Sequence, residues 1–237
     1  MDCEIRSYIG TRSCQEDSAA FCETENGLFC IVCDGIGSRR EGGSSSKYAA
    51  ESLTARFREG FKTDFPEFIT AAAEKTDREI YEKFGSASGT TVVSVYIKDL
   101  SLYWLSVGDS RLYIKRAGRL KQITTDHDYA YVLKKRLELG IIDQKTYEAE
   151  KHKGGRLASF IGMGGIDIVD VSMKPVELCE GDVLLLATDG LYKSLGDEKI
   201  AEILNENKTS AETADRLIGA VKRIEGAVDN TTLAVIM

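Results

Sequence analysis

Five aspartates in this chain stand where an apolar run ends or begins: Asp34, Asp109, Asp189, Asp229 and Asp17. Asp34-Gly35 and Asp189-Gly190 each follow an unbroken apolar run. A strand ending in Asp-Gly delivers a carboxylate to the rim of a sheet, and the glycine lets the chain turn and a small ligand approach the backbone. Asp109 lies in Gly-Asp-Ser-Arg at another strand end, Asp229 precedes Asn230 before the last strand, and Asp17 follows Gln15-Glu16 before an early one. One such aspartate is ordinarily a turn residue. Five in the same placement ask for a common cause. Like charges gathered in one place repel, and their pKa values rise unless a cation neutralises them. All-oxygen ligation selects hard divalent ions, Mg²⁺ or Mn²⁺. Two such ions about 4 Å apart can hold a water, lower its pKa and clamp a phosphoryl group for in-line attack. Spacing alone does not bring the five acids together; that takes a fold.

The other eye-catching groups carry less. Cys30-x-x-Cys33 sits inside an apolar run. On a strand, positions i and i+3 point to opposite faces, so the two sulfurs cannot share a metal or a disulfide. No second Cys-x-x-Cys and no nearby histidine completes a zinc site. A redox pair would open a helix, and this one does not. Both read as buried small hydrophobes. His127 and His152 could pair on a metal on paper, but isolated histidines are ordinarily structural or solvated. Gly35-x-Gly37 is a tight turn: Arg40 breaks the dinucleotide-binding pattern, and no P-loop lysine follows Gly43.

The elements that must position the acids come in blocks. Residues 3–9, 18–22, 27–33 and 90–97 read as strands. Residues 102–107 and 112–115 read as a hairpin about Gly108-Asp109-Ser110-Arg111. Helices are predicted over 44–57 and 66–84, then 128–139, 143–151, 197–206 and 210–223, with strands at 183–188 and 231–236. Blocks without strict β-α-β alternation favour an α+β fold with antiparallel sheets. The chain has 237 residues, is 43% hydrophobic and has two prolines, which suits a globular core. No repeat or linker divides it, so residues 1–237 read as one domain. A net charge of −7 argues against a nucleic-acid partner. No apolar run is long enough to span a membrane. The N-terminus, MDCEIRSYIG, lacks a secretory pattern. The six cysteines are therefore expected reduced, in the cytoplasm.

With the motifs in order, the chain resembles the metal-dependent serine/threonine protein phosphatases of the 2C type, in their compact bacterial form. The resemblance rests on TRSCQEDSAAF, CDGIGSRREGGSSSKYAAE, SGTTVVSVYI, LSVGDSRLYIKRAGRLKQITTDHDY, GDVLLLATDGLYKSL and DNTTLAVIM. It implies a four-layer α-β-β-α sandwich, two central antiparallel sheets flanked by helices, with a dinuclear Mn²⁺ or Mg²⁺ site at one end of the sheets. Asp34 would bridge both metals, Asp189 and Asp229 would complete one, and the Gly35 carbonyl would bind the other. Glu16 and Asp17 would act through waters and from behind. Arg12 would grip the substrate phosphate, a task that suits a guanidinium fork. Asp109 would help hold a third, weaker metal. Residues 128–160 would form a variable flap beside the site.

The implied activity is hydrolysis of phosphoserine and phosphothreonine in proteins by direct attack of a metal-activated water, opposing a Ser/Thr kinase, with the chain a monomer. The competing expectation is an inactive relative serving as a protein-binding scaffold. Such a chain should have lost metal ligands, and Asp34, Asp189 and Asp229 are all present. Position 36 is Ile where some relatives carry a histidine proposed to protonate the leaving group; Ile36 has no proton to give. Ser38 replaces a glycine, and Arg39 and Arg40 follow, a change expected to bias which phosphopeptides dock.

Overall fold

The computed structural model of the chain describes residues 1–37, 41–206 and 208–237. Its apolar runs form two antiparallel sheets. One contains β2 (Ser18–Thr24), β3 (Gly27–Cys33), β6 (Val92–Lys98), β7 (Ser101–Val107), β10 (Asp170–Val171) and β11 (Val176–Glu177). Its order is β10-β7-β6-β3-β2, with β11 also pairing β7. The other contains β1 (Cys3–Tyr8), β8 (Arg111–Arg116), β9 (Arg119–Gln122), β12 (Val183–Ala187) and β13 (Thr231–Ile236), in the order β1-β13-β12-β8-β9. A short ribbon joins β4 (Gly35–Ile36) to β5 (Gly89–Thr90).

Three cores separate four layers. Leu28, Cys30, Val32, Val93 and Val95 meet Leu112, Leu184, Leu186, Ala234 and Ile236 between the sheets. Alternate residues of β3, namely Phe29, Ile31 and Cys33, face outward and pack on Leu53 of α1 (Glu41–Glu59) and Ile69 of α2 (Phe65–Phe84). On the far side Leu185, Leu233 and Val235 pack on Leu191 and Ile200 of α5 (Asp189–Leu204) and Leu217 of α6 (Ser210–Val221). Strands buried on both faces read as unbroken apolar runs, as β3 and β12 do. Cys30 and Cys33 lie in different cores, as the strand period requires. Each large apolar side chain so buried is worth about 1.5–3 kcal/mol. Three such cores can offset a few buried carboxylates, each costing several kcal/mol without a partner.

Two expectations are corrected. Gly108–Arg111 is not a hairpin: β7 and β8 belong to different sheets, so this segment crosses from one to the other. The hairpins include β2–β3, across Glu25-Asn26, and two whose turn residues both have positive φ: β6–β7 at Asp99 (φ 48°) and Leu100 (φ 65°), and β8–β9 at Ala117 (φ 49°) and Gly118 (φ 77°). Positive φ at both turn residues matches the right-handed strand twist, and Asp99-Leu100 achieves it without glycine. Likewise α5 starts at Asp189, not at 197; it is broken at Gly196 (φ 72°, ψ 158°), and the sequence pattern showed only the part after the break. The flap region holds α3 (Tyr129–Glu138) and α4 (Gln144–Glu150), capped by Asp128 and Asp143, close to the predicted helices.

Candidate metal centre

The acids converge where strands end. Arg12, Glu16, Asp34, Gly35, Asp109, Asp189 and Asp229 all line one cavity of about 500 Å³, with Lys193, Asn230 and the flap residues Gly155, Leu157 and Phe160. Asp34 leaves the end of β3, and hydroxyls beneath it fix its backbone. Thr90 Oγ1 donates to the Asp34 carbonyl (2.8 Å), the Asp34 N–H donates to Thr91 Oγ1 (3.0 Å), and Thr91 Oγ1 meets Ser110 Oγ at 2.7 Å. The Gly-Thr-Thr run is thus a clamp under Asp34. Asp189 is the first residue of α5, where the partial positive charge of a helix N-terminus favours a carboxylate.

Both Asp-Gly glycines are required by close approach rather than by an unusual backbone angle. A Cβ on Gly35 would meet the Glu16 and Gly42 carbonyls at 2.4 Å, and one on Gly190 would meet the Asn230 carbonyl at 2.0 Å. Gly108 (φ 101°) needs glycine for conformation as well, and a Cβ there would meet Thr91 at 2.6 Å.

Asn230, which sequence reading did not single out, ties the site together. Its Oδ1 accepts from the Glu16 N–H (2.7 Å), and its Nδ2 donates to the carbonyls of Ile9 (2.8 Å) and Cys14 (3.0 Å). This holds the loop bearing Arg12 and Glu16 against Asp229. The available signal was an Asn beside a strand-end Asp. Arg12 Nη2 donates to Asp229 Oδ2 at 2.5 Å, and Lys193 Nζ to Asp189 Oδ2 at 2.5 Å.

Asp17 lies behind the cavity, 6% exposed, its Oδ2 accepting from Thr188 Oγ1 (2.9 Å). Burial first, and then the charges of Asp189 and Asp229, push its carboxyl up to about 7. Burial followed by Asp17, Asp189, Asp109 and Asp229 holds Asp34 well above the ordinary carboxylate range. Burial and Asp189 push Asp109 up to about 6, against the pull of Lys193. Glu16 Oε1 and Asp17 Oδ1 are buried with no hydrogen-bond partner. Among the described residues no three His, Cys, Asp or Glu side chains stand close enough together to hold a metal ion as they lie; Asp229 and Asp189 are clasped by Arg12 and Lys193. Orphaned acid oxygens, mutual repulsion and an all-oxygen donor set fit hard divalent cations.

The histidines stay out of the cavity. His127 is 2% exposed, and its Nδ1 accepts the Gly108 N–H at 3.2 Å, so it steadies the Asp109 turn. Burial keeps its pKa below the ordinary value. His152 is exposed, beside the Ala149 carbonyl. Arg111 grips Asp126 (2.6 Å) and lies 3.5 Å over the Tyr192 ring, whose hydroxyl donates to the Asp109 carbonyl (3.1 Å). At the flap's end, Asp77, 1% exposed, accepts the N–H groups of Gly162 (2.6 Å) and Met163 (2.9 Å). That anchors the segment following Phe160. Ile36 lines the cavity, whereas Ser38, Arg39 and Arg40 lie outside the described residues.

Residues 6–221 match the family model described as Protein phosphatase 2C. The chain belongs to that family. Among its relatives is the serine/threonine phosphatase stp of Listeria monocytogenes, 29% identical over 247 residues, covering 100% of this chain and 95% of that one. Among solved structures, the serine/threonine phosphatase of S. agalactiae is 26% identical with a TM-score of 0.82, covering 99% of this chain and 98% of that one. The catalytic domain of the phosphatase PstP, described in complex with two manganese ions, is 26% identical with a TM-score of 0.77, covering 99% and 96%. The α+β sandwich expected from the motifs is therefore the family's fold. Among the described residues no helix is long and apolar enough to cross a membrane.

Proposed function

We propose that this chain hydrolyses phosphoserine and phosphothreonine in proteins at a centre of two Mn²⁺ or Mg²⁺ ions. The observation that carries the reading is the convergence of Glu16, Asp34, Asp109, Asp189 and Asp229 with Arg12 around one cavity. Asp34, Asp189, Asp229 and the Gly35 carbonyl would hold the ions, with Glu16 and Asp17 acting through waters. Bound there, the ions would supply a water of lowered pKa and neutralise charge on the phosphoryl group.

The chain's own residues do the rest. Arg12 receives the substrate phosphate, exchanging Asp229 for two phosphate oxygens. Asn230 holds the Arg12 loop in register with the acids. Thr188 fixes Asp17 behind them. Phe160 and Leu157 wall the cavity on the flap side. Ile36 offers no proton, so the leaving hydroxyl takes one from water. Attack by water is direct on this reading: among the described residues no serine, cysteine or histidine lines the cavity, and the aspartates that do line it would be engaged with cations rather than as nucleophiles. The role is to oppose a Ser/Thr kinase in the cytoplasm, acting as a monomer. An inactive scaffold is disfavoured, because every proposed ligand is present and faces the same cavity.

The test is phosphate release from a phosphothreonine peptide by wild type and Asp34→Asn, each with Mn²⁺ and with chelator. Release by wild type with Mn²⁺ alone supports the reading. Release that survives chelation overturns it, as does an inert wild type that is folded and metal-loaded.

A further inference from the structure

Among the described residues lining the cavity, Lys193 is a charged group that neither the carboxylate pattern nor the phosphate-binding role accounts for. It lies in the early part of α5, four residues after Asp189. Its ammonium sits 2.5 Å from Asp189 Oδ2 and 3.6 Å from Asp109 Oδ2. The two acids come from separate parts of the fold, Asp109 from the crossover between the sheets and Asp189 from the start of α5. The Lys193 side chain is 55% exposed, and what sets it apart from a plain surface pair is the second carboxylate. This ammonium joins two carboxylates and lines the cavity with Arg12. The Asp189–Lys193 pair has the i,i+4 order that stabilises a helix by itself, so what calls for explanation is the further reach to Asp109. Asp109 is 8% exposed, and the cavity is the side from which it can be reached.

We propose that Lys193 is a built-in cation of this centre, holding Asp109 and Asp189 together and denying the position between them to a divalent ion. The chain then takes two divalent ions, and Asp109, which the family resemblance gave to a third ion, is served by its own lysine. The reason is exclusion and repulsion local to that gap: the ammonium takes Asp189 Oδ2 and faces Asp109 Oδ2, so a divalent ion cannot enter between those two oxygens, while Asp189 keeps its other carboxylate oxygen for one of the two ions. The inference rests on the two-ion reading of the site.

The test is calorimetric titration of the full chain with MnCl₂, for wild type, Lys193→Met, Lys193→Arg, and Lys193→Met combined with Asp109→Asn. Wild type and Lys193→Arg should saturate at two ions per chain. Lys193→Met should take a third, weaker ion, which the Asp109→Asn change removes again. In parallel, the Mn²⁺-induced rise in unfolding temperature should be larger for Lys193→Met than for wild type. Should Lys193→Met fold poorly, Lys193→Gln provides the same readout. The proposal is overturned if the charge-removing variants titrate like wild type, or if wild type already takes three ions. A wild type that takes no ions, or whose binding is unchanged by Asp34→Asn, overturns the two-ion reading itself.

Discussion

Arg12 and Asp229, 217 positions apart in the chain, are joined by an ion pair of 2.5 Å at the mouth of the carboxylate cavity. Their side chains are 55% and 41% exposed, and an ion pair so open to water is worth about 1 kcal/mol or less. A guanidinium on a phosphate is worth about 1.5–3 kcal/mol. On the proposed reading a substrate phosphate would therefore win Arg12, and Asp229 would be released from it.

Arg12→Ala should accordingly lower kcat/KM for a phosphothreonine peptide roughly 10- to 100-fold, the kinetic equivalent of that contact. It should not weaken Mn²⁺ binding, because Asp229 is freed. Arg12→Lys should recover only part of the rate, since an ammonium lacks the fork. Steady-state kinetics beside a Mn²⁺ titration check this. Loss of Mn²⁺ binding in Arg12→Ala would assign the arginine a structural role instead.

The metal-free protein should lose stability as pH rises. Asp17 and Asp109 ionise in the folded chain at about 7 and about 6, chiefly because they are buried, against an ordinary 3.8. Between those values the folded state holds protons that the unfolded chain has released. Stability is thus fully present near pH 4 and falls as pH climbs to about 7. The drop is on the order of a few kcal/mol. His127, kept below its ordinary 6.5 by burial, works the other way below pH 6.5, and Asp17→Asn isolates the Asp17 share by making the fall shallower. Urea unfolding in chelator at pH 5 and pH 7.5 measures this. Added Mn²⁺ should abolish the fall; a chelated protein more stable at pH 7.5 would contradict it.

Asn230→Ala should damage both the fold and the site. Asn230 is 4% exposed, and its side chain serves Glu16, Ile9 and Cys14. Orphaning such partners costs about 1–3 kcal/mol each when they stay buried. For a chain of this size each kcal/mol lowers Tm by about 2–4 °C. Thermal unfolding should show a drop of several degrees, with weaker Mn²⁺ binding because the Arg12–Glu16 loop is loosened. An unchanged Mn²⁺ isotherm would mean the loop needs no such pin.

Much of this molecule is legible in its sequence, and the gaps have physical causes. The apolar runs of β3 and β12 announce doubly covered strands, and their terminal Asp-Gly pairs announce a loaded rim. The crossover at Gly108 was hidden because a turn between two strands looks the same whether the strands pair or part. The true β6–β7 turn was hidden because Asp99 and Leu100 take positive φ without glycine. The start of α5 was masked by the Gly196 break. At the site, the acids and Arg12 could be named from their motifs. The hydroxyl clamp of Thr90, Thr91 and Ser110, the pin at Asn230 and the bridge at Lys193 could not. They act through contacts between distant segments, which no local pattern encodes.

The central claim is that Asp34, Asp189, Asp229 and the Gly35 carbonyl form one divalent-ion centre. The most direct measurement is anomalous diffraction at the manganese edge from crystals grown with MnCl₂. The expected result is two peaks within the cavity, both beside Asp34, with Lys193 still between Asp109 and Asp189. A map with no peak among these carboxylates, in a protein that nonetheless releases phosphate from the peptide, would contradict the account.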